Sequence, residues 1–114
     1  MELYIVGPVS GRENRNIGAF KDARKRLIEA GAWRTSAIPH DFIPPESSHE
    51  HAMLMSLEYM LERAKLLSEL GGGFGIALLK DWCISEGAKF ERQVAEACGA
   101  QVKTVDDWVR ELGK

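Results

Sequence analysis

One apolar run, FGIALLK at residues 74–80, constrains the fold of this chain more than any other feature. It follows three consecutive glycines and ends at a polar loop. An uninterrupted apolar run of this length is typical of a strand that is covered on both faces, as the strands of parallel sheets are. A second run of the same kind, ELYIVG at 2–7, ends abruptly at Gly7 and Pro8. The two runs therefore predict buried strands of a parallel sheet.

The remaining segments alternate between helical and strand-like patterns. Apolar residues recur at helical spacing in four segments, and two further short segments have strand character. Strands that alternate with helices at short spacing predict a single α/β domain over residues 1–114, with helices on both faces of a mainly parallel sheet of four to five strands. The predicted helices cover 17–30, 53–70, 86–98 and 106–112, and the further strands cover 32–38 and 100–105.

The charge balance limits the kind of ligand. The chain has 114 residues, of which 15 are basic and 17 are acidic, and its formal charge is -2. It therefore lacks the broad basic surface with which proteins hold nucleic acid polymers or membranes. We expect a small ligand that is held locally, and no apolar run approaches the length of a membrane span.

Cysteine and histidine spacing give no sign of a metal or a disulfide. Cys83 and Cys98 are isolated thiols without CxxC spacing, and no secretory apolar segment precedes the first loop, so a reducing cytoplasm is expected. His49 and His51 alternate in a polar loop without the spacing or the third ligand of a zinc site. We expect no metal and no cofactor.

Glu91 falls where the surrounding pattern calls for an apolar residue. In a helix that begins near Glu86 or Gly87, three- and four-residue steps place positions 87, 88, 91, 94, 95 and 98 on one stripe. The helix follows loop 80–86, which is expected at the carboxyl edge of the sheet, where ligands bind. Either Glu91 caps its own helix or pairs with a neighbouring arginine, or it is a functional carboxylate tuned as a nucleophile or base.

Three stretches of the chain resemble a known family. They are LYIVGP at 3–8, Trp82 after the apolar run, and SEGAKFE at 85–91. With these stretches the chain resembles the nucleoside 2-deoxyribosyltransferase superfamily over nearly its whole length, and within it the small phage and bacterial branch called DUF4406. The resemblance implies a three-layer, Rossmann-like or flavodoxin-like fold. It also implies an enzyme that cleaves the N-glycosidic bond of 2′-deoxynucleosides or nucleoside 5′-monophosphates.

The resemblance implies roles for three residues. Glu91 matches the family nucleophile, whose carboxylate attacks C1′ of the sugar and gives a glycosyl-enzyme ester, as in retaining glycosidases. Tyr4 matches the tyrosine whose hydroxyl holds that carboxylate in position. Ser85 matches the serine that binds the 5′-phosphate in the monophosphate hydrolases of the superfamily.

One element of the family pattern is missing from this chain. The family places an Asp, with a part in sugar binding or acid-base chemistry, on the helix before the strand at 74–80. Here Arg63 or Leu66 falls at that position. Glu62 is the predicted substitute, as a third catalytic residue, and Glu58 is a weaker candidate. Asp81 is considered as the acid that protonates the departing base.

A phosphate site is predicted where the start of the third helix meets loop 7–16. Backbone N–H groups at 85–88 and the helix dipole favour an anion there, and Arg12 can close on it with a bidentate contact. Small residues at 87 and 88 leave room for a ligand. Trp82, in a loop at the carboxyl end of a strand, is expected to stack on the base or close the pocket. Alternatively, SGR at 10–12 is an ordinary surface loop and Trp82 packs on the sheet edge. The predicted substrate-binding residues are Gly7, Ser10, Gly11, Arg12, Asp81, Trp82, Ser85 and Gly87.

With these residues in place, the family resemblance implies an N-glycoside hydrolase, or secondly a nucleoside 2-deoxyribosyltransferase, that acts on a nucleotide or 2′-deoxynucleotide. The alternatives are a non-catalytic nucleotide-binding module and a structural or phage accessory protein. The family resemblance also implies a homodimer or larger homo-oligomer, with the contact on the apolar helix 53–70. His40 and Asp41 are further candidates for a contact with the base or sugar.

Overall fold

A computed structural model describes all residues, 1–114, as three strands, four α-helices and three short 3₁₀ turns. The predicted helices are all present, and the second begins one turn earlier than predicted, after Ser48. None of the helices combines the length and apolar character that crossing a membrane requires. The elements are β1 (Glu2–Val6), α1 (Ile17–Ala30), α2 (His49–Leu70), β2 (Phe74–Leu78), α3 (Glu86–Ala97), β3 (Gln101–Thr104) and α4 (Val105–Leu112), and the turns are Glu13–Asn16, Pro39–Asp41 and Trp82–Ile84.

The three strands form one parallel sheet in the order β1-β2-β3. Tyr4 is paired with Ile76, and Ala77 with Lys103. The two apolar runs are therefore adjacent strands, with β2 at the centre of the sheet. The predicted α/β class and parallel sheet are confirmed, whereas the prediction of four to five strands is wrong.

Residues 32–38, predicted as a strand, run beside β1 without forming one. Ala37 makes a single parallel bridge to β1, in which its amide donates to the Leu3 carbonyl at 2.9 Å and its carbonyl accepts from the Ile5 amide at 3.0 Å. One step earlier, the Leu3 amide donates to the side-chain hydroxyl of Ser36 at 3.0 Å. Because this hydroxyl takes the place of a main-chain carbonyl, the ladder does not extend beyond one bridge.

Alternate residues of β1 face two different hydrophobic clusters. Leu3 and Ile5 pack with Phe20 and Leu27 of α1 and with Trp108 of α4. The intervening side chains of β1 join residues of α2 and α3 in a second cluster. Both faces of the strand are therefore covered, which explains why its sequence is continuously apolar rather than alternating.

A buried ion pair joins the start of β1 to α2. The carboxylate of Glu2, a fully buried residue, accepts hydrogen bonds from Arg63 Nε at 2.8 Å and Nη2 at 2.7 Å. Burial raises the pKa of Glu2, but hydrogen bonds with Arg63 and Thr35 outweigh it and hold the pKa below its usual range. Arg63 therefore stabilises a buried carboxylate, and it does not reach a ligand site.

Gly75 lies where β2 passes Trp108 and β3. A Cβ at this position would be 2.8 Å from Trp108 Cζ2 and 3.0 Å from the Gln101 carbonyl oxygen. We expect Gly75→Ala to lower the free energy of unfolding by about 2 kcal/mol, because backbone and an indole ring have to move. Gly18→Ala is the control, since a Cβ there has no atom within 4 Å and the helical site favours alanine by up to about 1 kcal/mol. Urea denaturation measures the free energy of unfolding of the two variants. Equal changes in Gly75→Ala and Gly18→Ala would contradict the packing argument.

Candidate functional site

A cleft of about 570 Å³ opens beyond the carboxyl end of β1. It is lined by residues 5–12, by Arg15, and by parts of the segments 39–47, 49–56 and 84–91, the last two of which contain the starts of α2 and α3. β1 has the Ala37 bridge on one edge and β2 on the other. The chain reaches the Ala37 segment through α1, on one face of the sheet, and then reaches β2 through α2, on the other face. Ligand sites of open α/β sheets lie at such a switch point. The cleft therefore lies at the position where the strand connections predict a ligand site.

Glu91 forms part of the cleft wall, in the second turn of α3. The residue is 9% exposed, and it neither caps its helix nor pairs with an arginine. Its one hydrogen bond comes from the hydroxyl of Ser56, which donates to Oε2. Burial raises the pKa of Glu91 to about 7, against the opposing effect of the Ser56 hydrogen bond. Near neutral pH the carboxyl group is therefore divided between its two protonation states.

Tyr4 reaches Glu91 through Ser56 rather than directly. The Tyr4 hydroxyl lies 2.6 Å from Ser56 Oγ. Since the single hydroxyl hydrogen of Ser56 goes to Glu91, Tyr4 donates to Ser56. Burial, and then the charge of Glu91, raise the pKa of Tyr4 well above its usual range. A chain of two hydrogen bonds therefore replaces the direct contact that the family resemblance implies.

Ser56 is a residue of this site that the sequence pattern did not predict. It is 4% exposed and lies on the buried side of α2 with Met60 and Leu67. The available signal was a polar residue on the apolar stripe of a helix, the same signal that singles out Glu91. A lone serine on such a stripe usually bonds to its own backbone. Only the position of α3 across from α2 shows that Ser56 bonds to a carboxylate instead.

Ser85 caps α3 and lines the cleft. Its Oγ accepts a hydrogen bond from the Ala88 amide at 3.1 Å, which leaves the amides of Glu86 and Gly87 without a helical partner. Both of these residues also line the cleft, so the helix start can still receive an anion. A Cβ on Gly87 would lie 2.8 Å from Met53 Cε. The missing side chain therefore makes room for α2 as well as for a ligand.

The loop after β1 brings four predicted residues, Gly7, Ser10, Gly11 and Arg12, into the cleft wall. Arg12 is not free there, because its Nη2 donates to Asp81 Oδ2 at 2.7 Å. Asp81 is not among the lining residues. The structure thus joins two predicted binding residues to each other. Asp81 forms an ion pair with Arg12 and does not line the cleft in which a departing base would lie.

Two other predicted residues lie outside the cleft. Glu62 is exposed on α2, because it is two positions from the buried Met60 and so points to the opposite side of the helix. Trp82 packs against the cluster of α2 and α3, and the guanidinium of Arg92 lies 5.1 Å from its ring centroid. Neither residue lines the cleft, so the structure does not bring Glu62 to Glu91 or Trp82 to a ligand base.

No group of three or more His, Cys, Asp or Glu side chains is placed to hold a metal ion. His49 lies at the cleft edge with its Nδ1 3.5 Å from Ser10 Oγ, and His51 is exposed. Cys83 and Cys98 are exposed, free thiols. The polar side chains and main chain of the cleft wall present carboxyl, hydroxyl, amide, imidazole and guanidinium groups.

Comparison with known proteins places the chain in a family but supplies no activity. The model of the family DUF4406, described as a domain of unknown function, matches residues 1–104. No curated protein and no solved structure matches the chain. The matched residues extend from β1 to the end of β3 and include every residue of the cleft.

The raised pKa of Glu91 makes stability depend on pH. The folded protein holds the proton up to about pH 7, whereas a free glutamate loses it near 4.5, so the stabilising effect is complete below 4.5 and is lost as pH rises through 7. We expect Glu91→Gln, which stays neutral, to be as stable as wild type near pH 4.5 and more stable by about 3 kcal/mol near pH 8. Urea denaturation across this range measures the difference.

The exposed Glu69 on α2 offers a matched control. Glu69→Gln changes the same functional group without a buried carboxyl, so its stability difference from wild type should stay flat with pH. A Glu91→Gln difference that is equally flat would contradict the raised pKa of Glu91.

Proposed function

The chain belongs to the DUF4406 family, and we propose that it cleaves the N-glycosidic bond of a nucleotide or 2′-deoxynucleotide, with Glu91 as the nucleophile. The observation that carries this proposal is a buried carboxyl group in a cleft wall that is bonded to one hydroxyl and to no cation. A buried carboxylate that serves structure alone is normally paired, as Glu2 is with Arg63. The resemblance to nucleoside 2-deoxyribosyltransferases supplies the substrate class.

In the proposed reaction, Oε1 of Glu91 attacks C1′ of the sugar while the bond from C1′ to the base nitrogen breaks, through an oxocarbenium-like transition state. The electron pair of the broken bond leaves with the base, which takes up a proton. Water then hydrolyses the ester and restores the carboxyl group, whereas a second base in place of water gives transfer. Ser56, which is itself held by Tyr4, binds Oε2 and leaves Oε1 for the attack.

The pKa of Glu91 fits this role. The attack requires the carboxylate, and with a pKa of about 7 roughly half of the molecules carry it at pH 7. A carboxylate removed from bulk water has fewer hydration bonds to break before it reacts. The proposed activity therefore rises with pH through about 7.

The cleft wall has no second buried carboxyl group that could protonate the departing base. The other acidic residue in it is Glu86, whose side chain is 90% exposed and paired with Lys89. Retaining glycosidases place an acid about 5–5.5 Å from the nucleophile. In the proposed enzyme the base instead takes its proton from water, so bases that need no proton should leave fastest.

The missing acid also favours the alternative of a non-catalytic nucleotide-binding module. Such a module would keep Ser85 and the free amides at the start of α3 and would have no need of an acid-base partner, which the exposed Glu62 does not provide. Glu91 would then bind the ligand rather than react with it, as a hydrogen-bond donor when protonated.

We extend the proposal to the fold and the assembly. The order of the Ala37 bridge, β1, β2 and β3, with clusters on both faces of β1, supports a three-layer, Rossmann-like or flavodoxin-like arrangement. Exposed leucines on α2 support a homo-oligomer contact on this helix, and a cytoplasmic location belongs to the same proposal. These leucines are Leu54, Leu61, Leu66 and Leu70.

We expect the protein to release free base from nucleoside 5′-monophosphates or their 2′-deoxy forms, and we expect Glu91→Gln to abolish the release, because an amide cannot form the ester. Chromatography of the base measures the reaction, with Glu69→Gln as the control. Substrates that carry 7-methylguanine, which leaves without a proton, should react faster than those that carry guanine, after subtraction of their spontaneous loss. Unchanged turnover in Glu91→Gln would exclude the nucleophile. Nucleotide-induced stabilisation without release would select the binding module.

Ser56→Ala should reduce base release at pH 7 by about 10-fold, because Glu91 loses the hydrogen bond that favours its ionised form. The midpoint of the pH profile of kcat/KM should move to higher pH, and part of the rate should return in alkaline buffer. Ser68→Ala is the matched control, since Ser68 is exposed on the same helix and bonds only to the Lys65 carbonyl. A loss of rate that is uniform at all pH values would argue for a merely structural effect.

A further inference from the structure

We propose that Arg15 binds the phosphate group of the ligand, and that the turn of Asn14, Arg15 and Asn16 is built to hold its guanidinium in the cleft. The inference rests on the proposed function and adds the residue that recognises the charge of the substrate. Arg15 lines the same cleft as Glu91. No motif of the sequence points to it.

Arg12, the cation expected at the phosphate, is already engaged. Its guanidinium is 2.7 Å from the Asp81 carboxylate, and the two side chains are 35% and 33% exposed. An anion that bound Arg12 would either displace Asp81 or lie beside its negative charge. The pair therefore leaves little net attraction for a second anion.

Arg15, by contrast, makes no ion pair. Its side chain has one hydrogen bond, from Nη1 to the Ile43 carbonyl at 3.3 Å, which ties it to the loop on the other side of the cleft. A guanidinium carries five N–H donors, so most of them remain open to a ligand. Their planar fork matches two oxygens of a phosphate.

The backbone that carries Arg15 is strained. Asn14, Arg15 and Asn16 have φ angles of 50°, 53° and 60°, which makes three left-handed residues in a row. Asn tolerates this region better than other side chains, but Arg gains nothing from it. An arginine in the middle of such a turn needs a reason beyond the backbone, and strain of this kind concentrates at ligand sites.

Three hydrogen bonds keep the turn from relaxing. The Arg15 amide donates to the Arg12 carbonyl at 3.0 Å. Asn16 Nδ2 donates to the Pro8 carbonyl at 2.9 Å. His40 Nε2 donates to the Arg15 carbonyl at 2.7 Å, while His40 Nδ1 is buried without a partner. The contacts come from both loops of the cleft, so they fix Arg15 relative to the whole wall.

The charges of the cleft call for such a cation. Glu91 lines it and repels a phosphate when ionised, whereas the charge of Glu86 is paired with Lys89. With Arg12 paired to Asp81, Arg15 is the arginine of the wall that lacks an acidic partner. Its charge offsets the repulsion between a phosphate monoester and the Glu91 carboxylate.

The test compares ligands that differ only in the phosphate. Calorimetry with the Glu91→Gln protein, which does not consume substrate, gives Kd for 2′-deoxyguanosine and 2′-deoxyadenosine, each with and without a 5′-phosphate. Arg15→Asn keeps a residue that tolerates the left-handed turn and removes the charge. Arg34→Asn makes the same change at an exposed position outside the cleft.

We expect the parent protein to prefer the monophosphates, and Arg15→Asn to reduce that preference by about 10- to 100-fold, as the loss of charge-assisted hydrogen bonds requires. The affinity of Arg15→Asn for the nucleosides should equal that of the parent protein. Arg34→Asn should keep the parent's Kd values for all four ligands. An intact preference in Arg15→Asn, or no preference in the parent, overturns the inference. If Arg15→Asn lowers the melting temperature, Arg15→Gly, which is free in the left-handed region, gives the same decision.

The proposed function and this inference fail separately. Base release from nucleosides and monophosphates alike, with no phosphate preference in binding, retains the function and overturns the role of Arg15. If the protein releases no base but prefers monophosphates over nucleosides, and if this preference depends on Arg15, then the role of Arg15 stands and the binding module is supported.

Discussion

The burial of the Glu91 carboxyl group between α3 and α2 is the constraint on which the rest of the site depends. No cation compensates it, so the folded state favours the neutral acid and the pKa rises to about 7. Ser56 gives the carboxyl its one hydrogen bond and receives another from Tyr4. This chain of polar groups crosses an otherwise hydrophobic cluster. It joins β1, α2 and α3, which are distant in the sequence, at a single point.

The position of the cleft follows from the way β1 is flanked. Its neighbours are β2 and the short segment at Ala37, and the chain reaches them over opposite sides of the sheet. Two loops therefore separate at the carboxyl end of β1 and leave a space between them. Ser36 limits the outer neighbour to one bridge. The sheet is narrower than predicted, but the switch point that creates the cleft does not need a full strand.

Periodicity and composition predicted the helices, the parallel sheet and the inward position of Glu91, because each depends on local spacing. They did not predict Ser56, since its role depends on which helix packs against α3. The family resemblance placed Glu62 in the site, as the substitute for an Asp that this chain lacks, whereas the turn of α2 directs it to solvent. The predicted strand at 32–38 does not form because the Ser36 hydroxyl accepts the hydrogen bond of the Leu3 amide in place of a main-chain carbonyl. Such competition does not depend on regular spacing along the chain, so a sequence pattern cannot predict it.

The protein itself provides the comparison that separates structure from function at Glu91. Glu2 is also buried, yet Arg63 binds both of its oxygens and its pKa falls below the usual range. The fold therefore compensates the buried carboxylate of Glu2 with a cation and leaves that of Glu91 without one. The left-handed turn at Arg15 is a second unfavourable feature, and it borders the same cleft. The uncompensated carboxyl group and the strained turn each lower the stability of the fold. Two such features in one cleft are expected where selection favours ligand binding over stability.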